Sequence, residues 1–165
     1  HPALAYIAFG SFIVAAVTDF FDGWLARKWG VVSTFGAILD PIADKILVCG
    51  AILGLLALSL PGLLIPSGVI LFREFAVSAM RESLAPRGIK LPVTFLAKTK
   101  TTLQLISLAA LMFVGFWSAW GIPAEPKTVF NLYTAVQVLY GLAAAVTLWT
   151  GIEYVNAARK ALKAA

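Results

Sequence analysis

The chain has 165 residues, of which 61% are hydrophobic before its 13 glycines are counted and only 13% are charged. A water-soluble domain carries about 45–50% apolar residues with glycine included, so an ordinary soluble domain is excluded, as are disorder, collagen and coiled-coil arrays. Mean hydropathy is +0.91 and net charge is +5, while the single cysteine, Cys49, excludes an intramolecular disulfide.

Five apolar stretches are long enough to be helices through a hydrocarbon core of about 30 Å, which needs roughly 17–25 residues each. The first, Leu4–Phe21, runs into Arg27-Lys28 and a break at Gly30. The second, Ile38–Leu60, closes at Pro61-Gly62, and the third, Leu63–Leu84, closes at Pro86-Arg87-Gly88. The fourth, Thr99–Trp117, follows Lys90 and Lys98 and is separated by Gly121 to Pro126 from the fifth, Val129–Gly151. The breaks have turn-type composition. No soluble domain, repeat or long linker is left over, so the expected fold is an all-α, polytopic transmembrane helical bundle of five spans, a single integral-membrane domain over 1–165. The chain begins at His1-Pro2 with no signal-peptide pattern, from which a missing or processed N-terminus is expected.

Basic residues predict the orientation. Arg27 and Lys28, then Arg81, Arg87, Lys90, Lys98 and Lys100, then Arg159, Lys160 and Lys163 fall on one side of an antiparallel bundle, with Lys127 alone on the other. That side is expected to be cytoplasmic. Trp24, Trp29 and Trp149 then sit near the inner interface, Trp117 and Trp120 near the outer one. Attraction to anionic lipid accounts for most of the basic excess. Nucleic-acid binding is not expected, because no soluble surface presents the charge.

Asp19, Asp22, Asp40 and Asp44 stand out, since an unpaired carboxylate in an apolar helix is expensive. The first two are spaced i,i+3 and the second two i,i+4, so each pair shares a helical face. A short connection makes spans one and two antiparallel neighbours, which brings the four acids together. Arg27 and Lys45 supply only two positive charges nearby. Carboxylate oxygens suit hard divalent cations, and no His or Cys stands near for zinc. Two metals bridged by shared carboxylates would clamp a phosphate or pyrophosphate. A proton or cation pathway could use the same acids. Gly23, Ala26 and Gly36 lie within a turn of them, where a missing side chain lets a ligand approach the backbone, or helices pack closely.

Together these positions read Asp19-x-x-Asp22-Gly23-x-x-Ala26-Arg27, eight residues, Gly36-x-x-x-Asp40-x-x-x-Asp44. The pattern resembles the signature of the CDP-alcohol phosphotransferase family at all eight fixed positions. The resemblance implies an integral-membrane enzyme that displaces CMP from a CDP-linked lipid with an alcohol. It also implies six transmembrane helices, two divalent cations (Mg²⁺ or Mn²⁺) and a homodimer. By position, Asp19, Asp22, Asp40 and Asp44 match the metal ligands, and Asp44 matches the general base. Asp22, Gly23, Ala26, Arg27 and Gly36 match positions around the cytidine nucleotide. The family's first helix has no counterpart before His1, so the chain is expected to be N-terminally truncated.

Arg73-Glu74-Phe75 through Arg81-Glu82, with Leu96-Ala97-Lys98-Thr99-Lys100 through Gln104, resembles the phosphatidylglycerophosphate synthase branch of that family. This implies CDP-diacylglycerol as donor and glycerol 3-phosphate as acceptor, in the cell (inner) membrane, with the site facing the cytoplasm. Arg73 lies eight residues inside Arg81, roughly 12 Å deeper along a helix. A guanidinium there needs a partner, and the acceptor's phosphate is one candidate. The other is Glu74 on a neighbouring helix or protomer, since adjacent residues of one helix do not face each other. Arg81, Lys98 and Lys100 are expected either to join Arg73 on the phosphate or to anchor at the membrane surface. Another acceptor, such as inositol phosphate, serine or phosphatidylglycerol, stays open, as does a small cation transporter. Cys49 reads as core, and His1 has no assigned role.

Overall fold

The computed structural model describes residues 2–29, 34–89 and 95–164; within its helices, the side chains of 19–20, 22–29, 34–41, 44, 95, 97–98 and 164 fall outside the description. Five α-helices follow one another: α1 (Pro2–Trp29), α2 (Thr34–Ala57), α3 (Leu64–Leu84), α4 (Phe95–Gly115) and α5 (Pro126–Ala164). Single 3₁₀ turns lie at Ala85–Arg87 and Trp117–Ala119. No strand occurs among the described residues. Each apolar stretch corresponds to one helix, which makes this an all-α membrane protein.

The helices do not end where hydropathy does. α2 stops at Ala57 rather than Leu60, with Ser59 at φ 54°. Pro61 disfavours helical geometry at the preceding residue, so the chain must turn before Leu60. α5 outruns its predicted stretch in both directions. Pro126 suits a first helical position, and the Ala, Arg, Lys and Leu residues after Gly151 are good helix formers with no breaker among them. Its 39 residues span roughly 58 Å at 1.5 Å per residue, so one end must leave a hydrocarbon core of about 30 Å. The end carrying Arg159, Lys160 and Lys163 is suited to do so.

α5 contains a segment, Pro126–Lys163, long and apolar enough to cross a membrane. The other described apolar stretches are shorter: Pro2–Thr18, Lys45–Ala57 and Thr99–Gly115. Arg73, Glu74, Arg81 and Glu82 interrupt the apolar run of α3 but not the helix.

The chain divides into two compact units. In the first, formed by His1–Leu60 and Leu108–Val136, α1 contacts α2 and the turn at Trp117–Ala119. Ala5, Phe12, Val48, Ile52, Leu55, Leu108 and Leu111 are buried. Aromatic rings close one end. Trp120 stacks on Phe113 at 5.5 Å and meets the edges of Tyr6 at 4.9 Å and Phe9 at 5.4 Å. The indole N–H groups of Trp120 and Trp117 donate to the carbonyls of Phe113 and Ile122 at 2.6 and 3.2 Å, and Tyr6 Oη donates to Ala119 O at 3.0 Å.

The second unit holds Pro61–Ser107 and Gln137–Ala165. Here α3 and α5 are joined by polar contacts whose residue numbers rise together. Gln137 Nε2 donates to Pro61 O at 2.7 Å just before α3, Ser67 and Tyr140 share a hydrogen bond of 2.9 Å, Arg73 donates to Thr150, and Arg81 donates to Tyr154. The two helices therefore run in the same direction. Their outer faces carry exposed apolar side chains, among them Ile65 and Phe72 on α3 and Leu142, Leu148 and Trp149 on α5, the surface a lipid-facing helix presents.

Candidate functional site

The eight motif positions fall on two consecutive helices in contact with each other. Asp19, Asp22, Gly23, Ala26 and Arg27 are in α1, and Gly36, Asp40 and Asp44 in α2. Asp19 and Asp22 are three residues apart and Asp40 and Asp44 four, so helical backbone preserves the shared face of each pair. The side chains of all eight, and of Lys98 in α4, lie outside the described residues. Among the described residues no group of three or more His, Cys, Asp and Glu could hold a metal ion. The backbone therefore supplies the frame of the acidic motif, on two helices that satisfy their own backbone donors and acceptors within an apolar segment.

The described side chains resolve a second cluster, within the second unit. Arg73 is only 7% exposed and Lys100 only 3%. Arg73 Nη1 lies 3.3 Å from Glu74 Oε1, and Lys100 Nζ from α4 donates to the same oxygen. The Arg73–Glu74 pairing corrects the sequence expectation that neighbours on one helix cannot meet. Both side chains are long, and Glu74 is drawn to one spot by two cations from two helices. Arg73 Nη2 donates to Thr150 Oγ1 at 3.3 Å. That hydroxyl in turn donates to Thr147 O at 2.9 Å, which fixes its lone pairs toward the guanidinium.

Tyr154 completes the group. Its ring lies 5.4 Å from the Arg73 guanidinium carbon and 4.8 Å from that of Arg81, both within cation–π range. Its hydroxyl accepts a hydrogen bond from Arg81 Nη2. Gly151 makes the approach possible, because a Cβ there would lie 2.9 Å from Arg73 Cγ. Two buried donors have no hydrogen-bond partner among the described residues, Arg73 Nε and Gln104 Nε2. Gln104 is one turn beyond Lys100 on α4, on the same face. The cluster thus offers three cations, one carboxylate and spare N–H groups, a composition that suits an anion with several acceptor oxygens.

Of the residues expected to bind an acceptor phosphate, Arg73, Arg81 and Lys100 therefore belong to one connected set. Glu74, Gln104, Thr150 and Tyr154 were not singled out as site residues. For Thr150 and Tyr154 a signal was present, as Tyr140, Thr147, Thr150 and Tyr154 recur at three- to seven-residue spacing along α5.

The comparisons with known proteins agree with this picture. The family model for CDP-alcohol phosphatidyltransferase matches residues 1–149. A CDP-diacylglycerol–glycerol-3-phosphate 3-phosphatidyltransferase of Rickettsia bellii is 41% identical over 149 residues, covering 90% of this chain and 77% of the relative. The protein of that name from Cereibacter sphaeroides is 49% identical over 117 residues, 70% of this chain and 52% of the relative. The one from Escherichia coli K12 is 38% identical over 151 residues, 90% of this chain and 76% of the relative.

Proposed function

This chain belongs to the CDP-alcohol phosphatidyltransferase family, and from that premise we propose that it transfers the phosphatidyl group of CDP-diacylglycerol to glycerol 3-phosphate. The products are phosphatidylglycerophosphate and CMP. What carries the reading is the eight-position motif on two consecutive, contacting helices, in a chain whose relatives are named for this reaction.

In the reaction, the acceptor hydroxyl oxygen bonds to the phosphorus that carries diacylglycerol. The bond from that phosphorus to the bridging oxygen breaks, and CMP leaves with the electron pair. Asp44 takes the hydroxyl proton, as a carboxylate within hydrogen-bond reach can. Arg27 supplies positive charge to the nucleotide, and the small residues Gly23, Ala26 and Gly36 let it lie against backbone. Arg73, Arg81, Lys98 and Lys100 bind the acceptor's phosphate. The buried Arg73 Nε, which has no partner among the described residues, supports that role.

The family mechanism depends on divalent cations, and the donor set fits them. Four carboxylates without His or Cys suit hard ions such as Mg²⁺ or Mn²⁺. Asp19, Asp22, Asp40 and Asp44 would hold two ions, which when bound neutralise the pyrophosphate and the departing CMP.

The residues form one catalytic domain that crosses the cell (inner) membrane five times, works as a homodimer and opens its site to the cytoplasm. Support for repeated crossing comes from α3 and α5 running in the same direction, as alternate spans of a multi-pass chain must. The test is CMP release from CDP-diacylglycerol and Mg²⁺ in detergent micelles with each candidate alcohol. Glycerol 3-phosphate is expected to support release, and inositol phosphate, serine and phosphatidylglycerol are not. Release with inositol phosphate alone would move the chain to another acceptor. Ion flux in liposomes without CMP release under any condition would make the acids a cation pathway.

A further inference from the structure

The family match ends at residue 149, yet the basic cluster of the second unit is completed by Thr150 and Tyr154. We infer that Tyr154 is a positioning residue for the acceptor: it holds the Arg73 and Arg81 guanidinium groups in the orientation that receives a dianionic phosphate monoester. The inference rests on the glycerol 3-phosphate reading above and extends it to a residue which that reading does not use.

Three observations carry it. First, one aromatic ring serves two guanidinium groups, at 5.4 and 4.8 Å, although the arginines are eight residues apart on α3. Two flexible cations that repel each other do not gather on one ring without something to reward it, and the negative face of the ring does so at both. Second, the Tyr154 hydroxyl accepts from Arg81 Nη2, which tethers that guanidinium beside the ring and restrains the direction of its remaining N–H groups. Tyr154 is itself only 3% exposed, so the ring is held in place. Third, the charges fit the ligand. Arg73, Arg81 and Lys100 against Glu74 leave two positive charges, which matches a phosphate monoester carrying about −1.5 to −2 near neutral pH. A neutral alcohol such as serine's hydroxymethyl group leaves that charge unmatched.

Glu74 and Thr150 divide the work with Tyr154. They occupy Arg73 Nη1 and Nη2, which leaves its Nε edge without a partner among the described residues. The planar fork is thus tied at its two terminal nitrogens, with the Tyr154 ring 5.4 Å from its carbon, and its buried Nε–H is the donor still to be satisfied, so a phosphate meets a guanidinium whose orientation is already set.

The experiment is steady-state kinetics of Tyr154→Phe and Tyr154→Leu, varying glycerol 3-phosphate and CDP-diacylglycerol separately. Tyr154→Phe keeps the ring and loses the hydroxyl, and is expected to raise KM for glycerol 3-phosphate about five- to tenfold. kcat and the KM for CDP-diacylglycerol should stay within about twofold, the signature of lost substrate binding rather than lost chemistry. Tyr154→Leu removes the ring as well and is expected to raise the acceptor KM roughly thirtyfold or more. An unchanged acceptor KM in Tyr154→Phe overturns the inference. So does an equal loss in kcat and in both KM values, which would mark Tyr154 as a packing residue between α3 and α5. If the wild-type protein releases no CMP with glycerol 3-phosphate, the acceptor reading itself fails, and this inference with it.

Discussion

At the residue scale, the two candidate clusters make opposite demands on their side chains. In the proposed mechanism Asp44 serves through its proton affinity, so Asp44→Asn is expected to lower CMP release by about 10²–10⁴-fold while circular dichroism and thermal melting stay those of the wild type. Turnover within threefold of wild type would remove Asp44 from the base role. Thr150 is needed for geometry and for the satisfaction of a buried cation. Thr150→Val keeps the shape but removes the acceptor for Arg73 Nη2, and is expected to cost about 1–3 kcal/mol of stability, read as a lower melting temperature in detergent. The acidic motif could be proposed from sequence because its spacing is fixed within one short segment. The hydrogen bonds that tie the second cluster's three helices together link residues 26 to 77 positions apart, and no local pattern announces which of several polar residues will meet. Glu74 shows the difficulty. Its pairing with Arg73 was considered from sequence, but only across helices or protomers, because a rule about faces ignores how far long side chains reach.

At the scale of elements, five apolar stretches became five helices, and the errors lay at their ends. Hydropathy measures preference for lipid, whereas a helix end is decided by backbone donors and acceptors. Pro61 therefore stopped α2 early, and the absence of a breaker let α5 run on through its charged end. The turn before α3 provides a test. Gly62 has φ 76°, and a Cβ there would fall 1.9 Å from Gln137 Nε2, the group that donates to Pro61 O. Gly62→Ala must strain the backbone and displace that amide. We expect about 1–3 kcal/mol of destabilisation, and an unchanged melting temperature would show that this contact contributes nothing to the pairing of α3 with α5. The shared direction follows from the five-span reading, but the pairing of α3 with α5 was not legible in the sequence. It depends on which faces of two distant segments come together.

At the scale of the whole molecule, charge asymmetry and the acidic motif lead to testable consequences. Chelation by EDTA is expected to abolish CMP release, and Mg²⁺ or Mn²⁺ in excess to restore it. Release that persists in chelator would leave the four aspartates without their proposed ligands. Because Cys49 is the only cysteine, a Cys49→Ala background allows single cysteines to be placed at Lys127 and Lys163. The Lys163 position is expected to react with an impermeant maleimide only from the cytoplasmic side and the Lys127 position only from the opposite side; labelling of both from one side would overturn the five-span topology. The contacts between α3 and α5 also bear on how the protein is made. Arg73 finds Thr150 only 77 positions later in the chain, which at about 5–20 residues per second is roughly 4–15 s of synthesis. During that interval α3 holds a buried-type guanidinium whose eventual acceptor does not yet exist. The nascent helix must therefore be sheltered by lipid headgroups, water or the insertion machinery until its late-arriving neighbour emerges. A chain ended at Gly141 is thus expected to be cleared from the membrane within minutes in a pulse–chase, whereas one ended at Arg159 should persist like the full chain.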